Sequence, residues 1–225
     1  MTLLSWTNPL TNRVTSSLAV HGLTSMRAGC KFEGISDALP LYENAYLTRK
    51  DDKLKFLESD RVYLRELNEN DVDMLFELHN NKETMKYMPY NSISYEKAIY
   101  DVDDYASVSK LHPGFGMWAT VLKDTDEVIG WTCLKKLPNS DDVEIGYRYL
   151  PQYWSKGYCT EICLSLIGYG FDTMNLSEII AIVRPDNKAS VRVIEKLNMR
   201  YIQMEKHYGM ELKRYSILRN QYYDK

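Results

Sequence analysis

The stretch Leu150–Asp172, LPQYWSKGYCTEICLSLIGYGFD, decides how this chain is read. A strand ends just before it, at Tyr149. A short loop follows with Pro151, two aromatic residues, a lysine and Gly157, and an apolar run at helical spacing comes next. A strand that turns tightly into a helix leaves the first backbone N–H groups of that helix unpaired. Those donors and the positive end of the helix dipole suit a pyrophosphate. The expected cradle is Trp154-Ser155-Lys156-Gly157-Tyr158-Cys159, where Gly157 lets the backbone come close and Lys156 adds charge. On this loop alone, an ordinary strand-to-helix turn would read the same.

The chain on either side supplies the context. The helix Tyr158 to Thr173 is nearly all apolar, with Thr160, Glu161 and Ser165 the main exceptions, so burial on most sides is expected. Before the loop come the strand Val143–Tyr149, a turn at Pro138-Asn-Ser-Asp141, and two strands over Phe115–Lys123 and Val128–Leu137. The Asp124-Thr-Asp126 turn joins those two as a hairpin. Earlier still, Arg61-Val-Tyr-Leu-Arg65 alternates as a first strand. Asn68 or Asn70 then caps a helix to Asn80, with Val72, Leu75, Phe76 and His79 on its apolar side. Ser94 caps a second helix through about Lys110, with Ala98, Ile99, Val102, Tyr105 and Val108 inward. After the loop, Glu178–Val183 is an apolar strand without alternation, as a central strand requires. Asp186 or Asn187 starts a helix to Leu197, and Met199–Lys206 and Leu212–Leu218 end the chain as strands. The order β-α-α-β-β-β-α-β-α-β-β predicts an α/β (α+β) chain around a single sheet with about four helices.

The 225 residues, 44% apolar and 26% charged, suffice for one good core and an extension. The core domain is expected over 53–225, with residues 1–52 as an N-terminal extension. Met1–Phe32 has no acidic residue and is rich in Ser and Thr, so organelle import stands as an alternative to a loosely packed tail. A net charge of −3 does not suggest a nucleic-acid or anionic-membrane partner. No apolar run approaches the roughly 18 residues of a spanning helix. Cys30, Cys133, Cys159 and Cys163 form no disulfide or zinc framework, and the four histidines are scattered. A reducing compartment, the cytoplasm, and no metal are expected.

The loop W-S-K-G-Y-C-T-E resembles the acetyl-CoA pyrophosphate loop of the GNAT acetyltransferases, particularly the ribosomal-protein N-acetyltransferase (RimJ/RimL) type, where it usually reads W-G-K-G-Y-A-T-E. Ser155 stands for the first glycine and must hold a glycine-like backbone. Three further pieces carry the resemblance in the right order: the opening strand Arg61–Arg65, Glu144-Ile-Gly-Tyr147, and Asn187-Lys-Ala-Ser190-Val-Arg-Val-Ile-Glu-Lys196. It covers about Leu54 to Tyr222 and implies the GNAT fold, with one mixed, mostly antiparallel sheet. The helix that usually ends K-x-G-F ends here Lys196-Leu-Asn-Met199, and Asn198 can take the left-handed cap.

The resemblance implies acetyl transfer from acetyl-CoA directly to a primary amine, with the pantetheine arm along Ile145, Gly146, Tyr147 and Tyr149. The pyrophosphate would lie over Trp154–Cys159, and Asn187 would reach the cofactor near the thioester. An ammonium has no lone pair, so a general base must take the proton, and Glu144 is the candidate. Many GNAT enzymes place a tyrosine seven residues after the asparagine to protonate the thiolate, but that position is Ile194. Ser190 and Tyr208 are the substitutes. Backbone donors near Tyr147 would polarise the thioester carbonyl. Cys159 and Cys163 are expected as small core residues, because direct transfer needs no acyl-enzyme. The acceptor is either a protein N-terminus or a small amine, and the protein a monomer or homodimer. A GNAT-like module that binds acetyl-CoA without turnover is the competing reading.

Overall fold

Turn and cap residues divide the chain into strands laid side by side. A computed structural model describes residues 55–90 and 92–224; the extension expected over 1–52 lies outside them. β1 (Lys55–Glu58) pairs with β2 (Val62–Glu66), and antiparallel pairing continues through β3 (Gly116–Leu122), β4 (Val128–Lys136) and β5 (Val143–Tyr149). β5 meets β6 (Glu178–Val183) in parallel, registering only at Glu144↔Ile180. β6 then pairs antiparallel with β8 (Met210–Leu218), whose other edge takes β7 (Arg200–His207). The sheet has eight strands in the order β1-β2-β3-β4-β5-β6-β8-β7.

The helices begin where the side chains say they should. Asn68 accepts the Asn70 N–H at 3.0 Å and Asp71 accepts the Asn68 N–H at 2.8 Å, closing a capping box on a single 3₁₀ turn before α1 (Val72–Asn80). Ser94 accepts the Lys97 N–H at 3.2 Å at the start of α3 (Tyr95–Leu111). α4 (Tyr158–Asp172) follows the loop, and Asn187 caps α5 (Lys188–Lys196). Asn198 takes the left-handed conformation, φ +59°, and Met199 is buried behind it. Three elements go beyond the expected order: β1 at the sheet edge, the one-turn α2 (Lys82–Met85) and α6 (Arg219–Tyr223). Ile99, expected inward, is 45% exposed on α3, while Ala98 and Val102 are buried.

Strand alternation sorts the core into two layers. Ile145, Tyr147 and Tyr149 of β5 pack with Ile162 and Leu166 of α4 and Ile194 of α5. Met117, Ala119, Trp131 and Cys133 pack with Leu75 and Leu78 of α1 and Val102 and Tyr105 of α3. β4 carries a bulge: Thr120 registers with Gly130, but Val121 registers with Val128. Ile129 and Trp131, both odd-numbered, therefore face opposite layers. The bulge turns Trp131, Cys133 and Lys135 toward the side roofed by α1 and α3.

Candidate active site

The loop after β5 is held by its own backbone and by a neighbouring strand. Trp154 Nε1 donates to the Tyr149 carbonyl at 2.6 Å, folding the indole back on the end of β5. Ser155 and Gly157 both have left-handed backbones, φ +61° and +89°. The first α4 helical bond runs from Glu161 N–H to Gly157 O at 3.1 Å, and no side chain caps the N-terminus. The first turn of α4 borders a pocket of about 170 Å³ that is also lined by Tyr149, Trp154 and Gly157 and by Arg192 and Lys196 of α5. Uncapped donors, a helix dipole and two cations make a fitting seat for a pyrophosphate.

Arg61, at the start of β2, clamps this loop. Its backbone N–H and Nε donate to Glu161 of α4, each at 2.7 Å, and its Nη1 donates to the Lys156 carbonyl at 3.1 Å. Ser59 adds a bond to Glu161 at 2.8 Å. Burial alone would raise the Glu161 carboxyl, but these donors and the Arg61 charge outweigh it and hold the group below its ordinary value.

On the other side of β5 lies a buried charged group. Glu144 is fully buried, and Lys135, its register partner on β4, reaches Glu144 Oε2 at 2.9 Å. The approach lacks hydrogen-bond alignment, so both Glu144 oxygens and the Lys135 ammonium have no hydrogen-bond partner among the described residues. Burial pushes the Glu144 carboxyl above its usual range, against the pull of Lys135 and His207. Burial also works against the Lys135 ammonium, but the facing carboxylate more than offsets it and its pKa is raised. Tyr208, left-handed at the turn between β7 and β8, sits within electrostatic reach of both. Burial pushes its hydroxyl up to about 12, and that hydroxyl likewise lacks a hydrogen bond.

The expected residues thus fall into three places. Tyr149, Trp154, Ser155, Gly157, Tyr158 and Cys159 border the α4 pocket. Lys156 instead lays its ammonium over the Tyr153 ring, 5.3 Å from the centroid. Glu144 lies on the face opposite Ile145 and Tyr147, within electrostatic reach of Tyr208, which packs with Ile180 and Ile182, whereas Ser190 is buried in the first turn of α5, on the opposite layer. There its N–H donates to Asn187 at 3.2 Å and its carbonyl accepts from the Tyr147 hydroxyl at 3.3 Å. The three candidate catalytic side chains are therefore not one cluster. β5 lies between them, and after Glu144↔Ile180 Ile145–Tyr149 have no register partner on β6. Gly146 opposes Cys133 on β4. Cys159 and Cys163 are buried core residues. Lys135, Arg192 and Lys196 were not legible as site residues. The signal for Lys135 is a lysine in an otherwise apolar strand, opposite a glutamate once the hairpin register is drawn. Among the described residues, no cluster of His, Cys, Asp and Glu could hold a metal, and no helix is long and apolar enough to cross a membrane.

Comparison with known proteins agrees with this geometry. The sequence profile of the Acetyltransferase (GNAT) domain matches residues 61–200. An uncharacterized N-acetyltransferase of Bacillus subtilis, YoaA, is 32% identical over 143 residues, covering 63% of this chain and 80% of that protein. A GNAT-family acetyltransferase structure from Bacillus anthracis superposes with a TM-score of 0.65 at 26% identity, over 73% of this chain and 98% of that one. The ribosomal-protein-S5-alanine acetyltransferase of Vibrio fischeri shares the fold, with a TM-score of 0.61 at 17% identity over 73% of this chain and 97% of that one. With the profile spanning β2 to the start of β7, the chain belongs to the GNAT acetyltransferase family, whose acetyl donor is acetyl-CoA.

Proposed function

We propose that this protein is an N-acetyltransferase that moves acetyl from coenzyme A to a primary amine by direct transfer, with Glu144 as general base. The observation that carries the reading is the buried Glu144 carboxylate beside the free edge of β5. Lys135 faces one of its oxygens and pulls against the burial that raises it, and its Oε1 has no hydrogen-bond partner among the described residues. A carboxylate raised by burial lies closer to neutral pH, where a base works best. Acetyl-CoA supplies the activated thioester. The α4 N-terminus with Arg192 and Lys196 holds its pyrophosphate, and the edge of β5 from Ile145 to Tyr149 aligns its arm. The amine nitrogen bonds the carbonyl carbon as the carbon–sulfur bond breaks, its proton passing to Glu144 Oε1. Tyr208, beside Lys135 and within electrostatic reach of Glu144, is better placed than Ser190 to protonate the departing thiolate. The pattern Trp154–Glu161 supports a phosphate loop of the ribosomal-protein N-acetyltransferase type, while the acceptor is set by residues on the Glu144 face of β5.

The test is coenzyme A release on an amine panel, with acetyl-CoA affinity read by calorimetry. Glu144→Gln is expected to lower kcat by about 10²–10⁴-fold while acetyl-CoA binding is kept. A variant that stays folded and retains activity within a few-fold of the wild type would remove Glu144 from the reaction.

A further inference from the structure

The described residues contain nine buried polar side-chain atoms without a hydrogen bond, and eight of them belong to His79, Trp131, Lys135, Glu144, Arg148 and Tyr208. Five of these lie on the face roofed by α1 and α3, and Tyr208 lies beside them, packed with Ile180, Ile182 and Met88. Two rungs of the β4–β5 ladder organise them, Trp131↔Arg148 and Lys135↔Glu144, with the small pair Cys133↔Gly146 between them on the same face. Lys135 has its carboxylate, but Arg148 has none among the described residues. Its guanidinium is fully buried and stacks over Trp131 at 5.4 Å. Among the described residues its hydrogen-bonding partners are the Tyr90 hydroxyl at 3.1 Å and the thioethers of Met88 and Met85 at 3.0 and 3.8 Å. No carboxylate among the described residues lies within ion-pair distance of it. Asp101, the buried acid of α3, is taken by Lys97. A buried guanidinium costs much unless an anion answers it, and a phenol, two thioethers and an indole face do not neutralise it. A cavity of about 220 Å³ opens between α3 and β3–β4, bordered by Lys135 at one side and by Tyr105, which feels the Arg148 charge.

We infer that Arg148 receives a carboxylate carried by the acceptor, so that the substrates are small amino-carboxylates rather than simple amines. The inference rests on the transferase reading and names its acceptor. Glu144 and Arg148 stand four residues apart on β5, about 13 Å between Cα atoms. Both side chains rise from the same face of the strand. An acceptor with its amine at Glu144 and its carboxylate at Arg148 therefore needs a carbon chain between the two groups, and its length is what a series of amines reads out. A planar guanidinium fork matches a carboxylate through two parallel bonds, which its present partners do not provide.

The experiment compares matched amines, each an ω-amino acid and its carboxamide, from glycine to aminohexanoate, with the full chain and acetyl-CoA. The wild type is expected to favour the carboxylate over the amide by at least about tenfold in kcat/KM at the best length. Arg148→Met should bring that ratio to about one, and Arg148→Lys should keep part of it. Equal rates for acid and amide in the wild type, or an unchanged ratio in Arg148→Met, overturn the inference. Calorimetry separates it from failure of the transferase reading. If no amine is acetylated, γ-aminobutyrate titrated into the wild type still should give saturable heat that Arg148→Met abolishes. No heat at millimolar concentration overturns the assignment. Melting gives a third reading. Without ligand, Arg148→Met should melt at or above the wild-type temperature, because an unanswered buried charge is removed. A loss of several degrees, or failure to fold while Arg148→Lys folds normally, makes the guanidinium structural and overturns the inference.

Discussion

Ser155 and Gly157 show how single residues tune the phosphate loop. Both hold left-handed backbones, but only Gly157 does so without a Cβ, and a Cβ added there would stand 3.2 Å from Arg61 Nη2. Ser155 carries the strain of that conformation at an exposed position. Ser155→Gly removes a steric cost of about 1–2 kcal/mol and adds the larger unfolded-state entropy of glycine, about 0.5–1 kcal/mol. A net gain of up to about 1.5 kcal/mol is expected, read as a higher urea midpoint at unchanged slope; a lower midpoint would mean that the Ser155 hydroxyl secures the loop. Lys135 acts on the chemistry through another residue. Its charge lowers the Glu144 pKa against burial, so removing it leaves the carboxyl higher still. In Lys135→Met the acid limb of the kcat/KM profile should move to higher pH. An unmoved limb would show that Glu144 is not the group titrating in that profile.

At the scale of elements, the Arg61–Glu161 clamp ties β2 to the first turn of α4, so the loop between β5 and α4 is positioned by a strand far from it in sequence. Glu161→Gln keeps the shape and removes the charge. Because Arg61 is about half exposed, the loss of stability should be modest, about 1–2 kcal/mol. The local consequence should be larger: faster hydrogen exchange at 155–160 and a higher KM for acetyl-CoA with kcat little changed. Unaltered exchange there would mean the loop holds itself. Glu161 was legible as part of the loop sequence, but its partner was not, because the pairing spans a hundred residues. The same divide runs through the whole fold. Asn68, Ser94 and Asn187 announced helix starts because a cap acts within three residues, and β5, its loop and α4 were legible because they are contiguous. β1 was missed because four residues at an edge carry too little alternation. Ile99 was misplaced by one position on α3, whose apolar face is narrow. The Glu144–Lys135 and Trp131–Arg148 rungs depend on the β4 bulge and hairpin register, and no periodicity within either strand shows them.

At the scale of the whole molecule, burying charge and imidazole on one face links stability to pH. His79 is buried with neither ring nitrogen hydrogen-bonded among the described residues. Burial first, then the Arg148 and Lys97 charges, push its pKa down to about 2. In the unfolded chain it titrates near 6.5. Between these values the unfolded state holds a proton that the folded state does not. The His79 contribution is therefore fully present above about pH 6.5 and is lost as pH falls, by about 1.4 kcal/mol per unit. Glu144, whose pKa is raised in the fold, works in the opposite sense: it favours the folded state as pH falls toward its unfolded value. The net curve therefore mixes the two, and a His79→Phe comparison isolates the first. The difference in unfolding free energy between wild type and variant, from urea titrations between about pH 7 and pH 4.5, should shift against the wild type by about 2–3 kcal/mol across that range. The other histidines and the carboxylates cancel in the difference because both chains carry them. A difference that stays constant with pH would mean that His79 takes up its proton in the fold. That would require the face roofed by α1 and α3 to admit water or an anion beside Arg148.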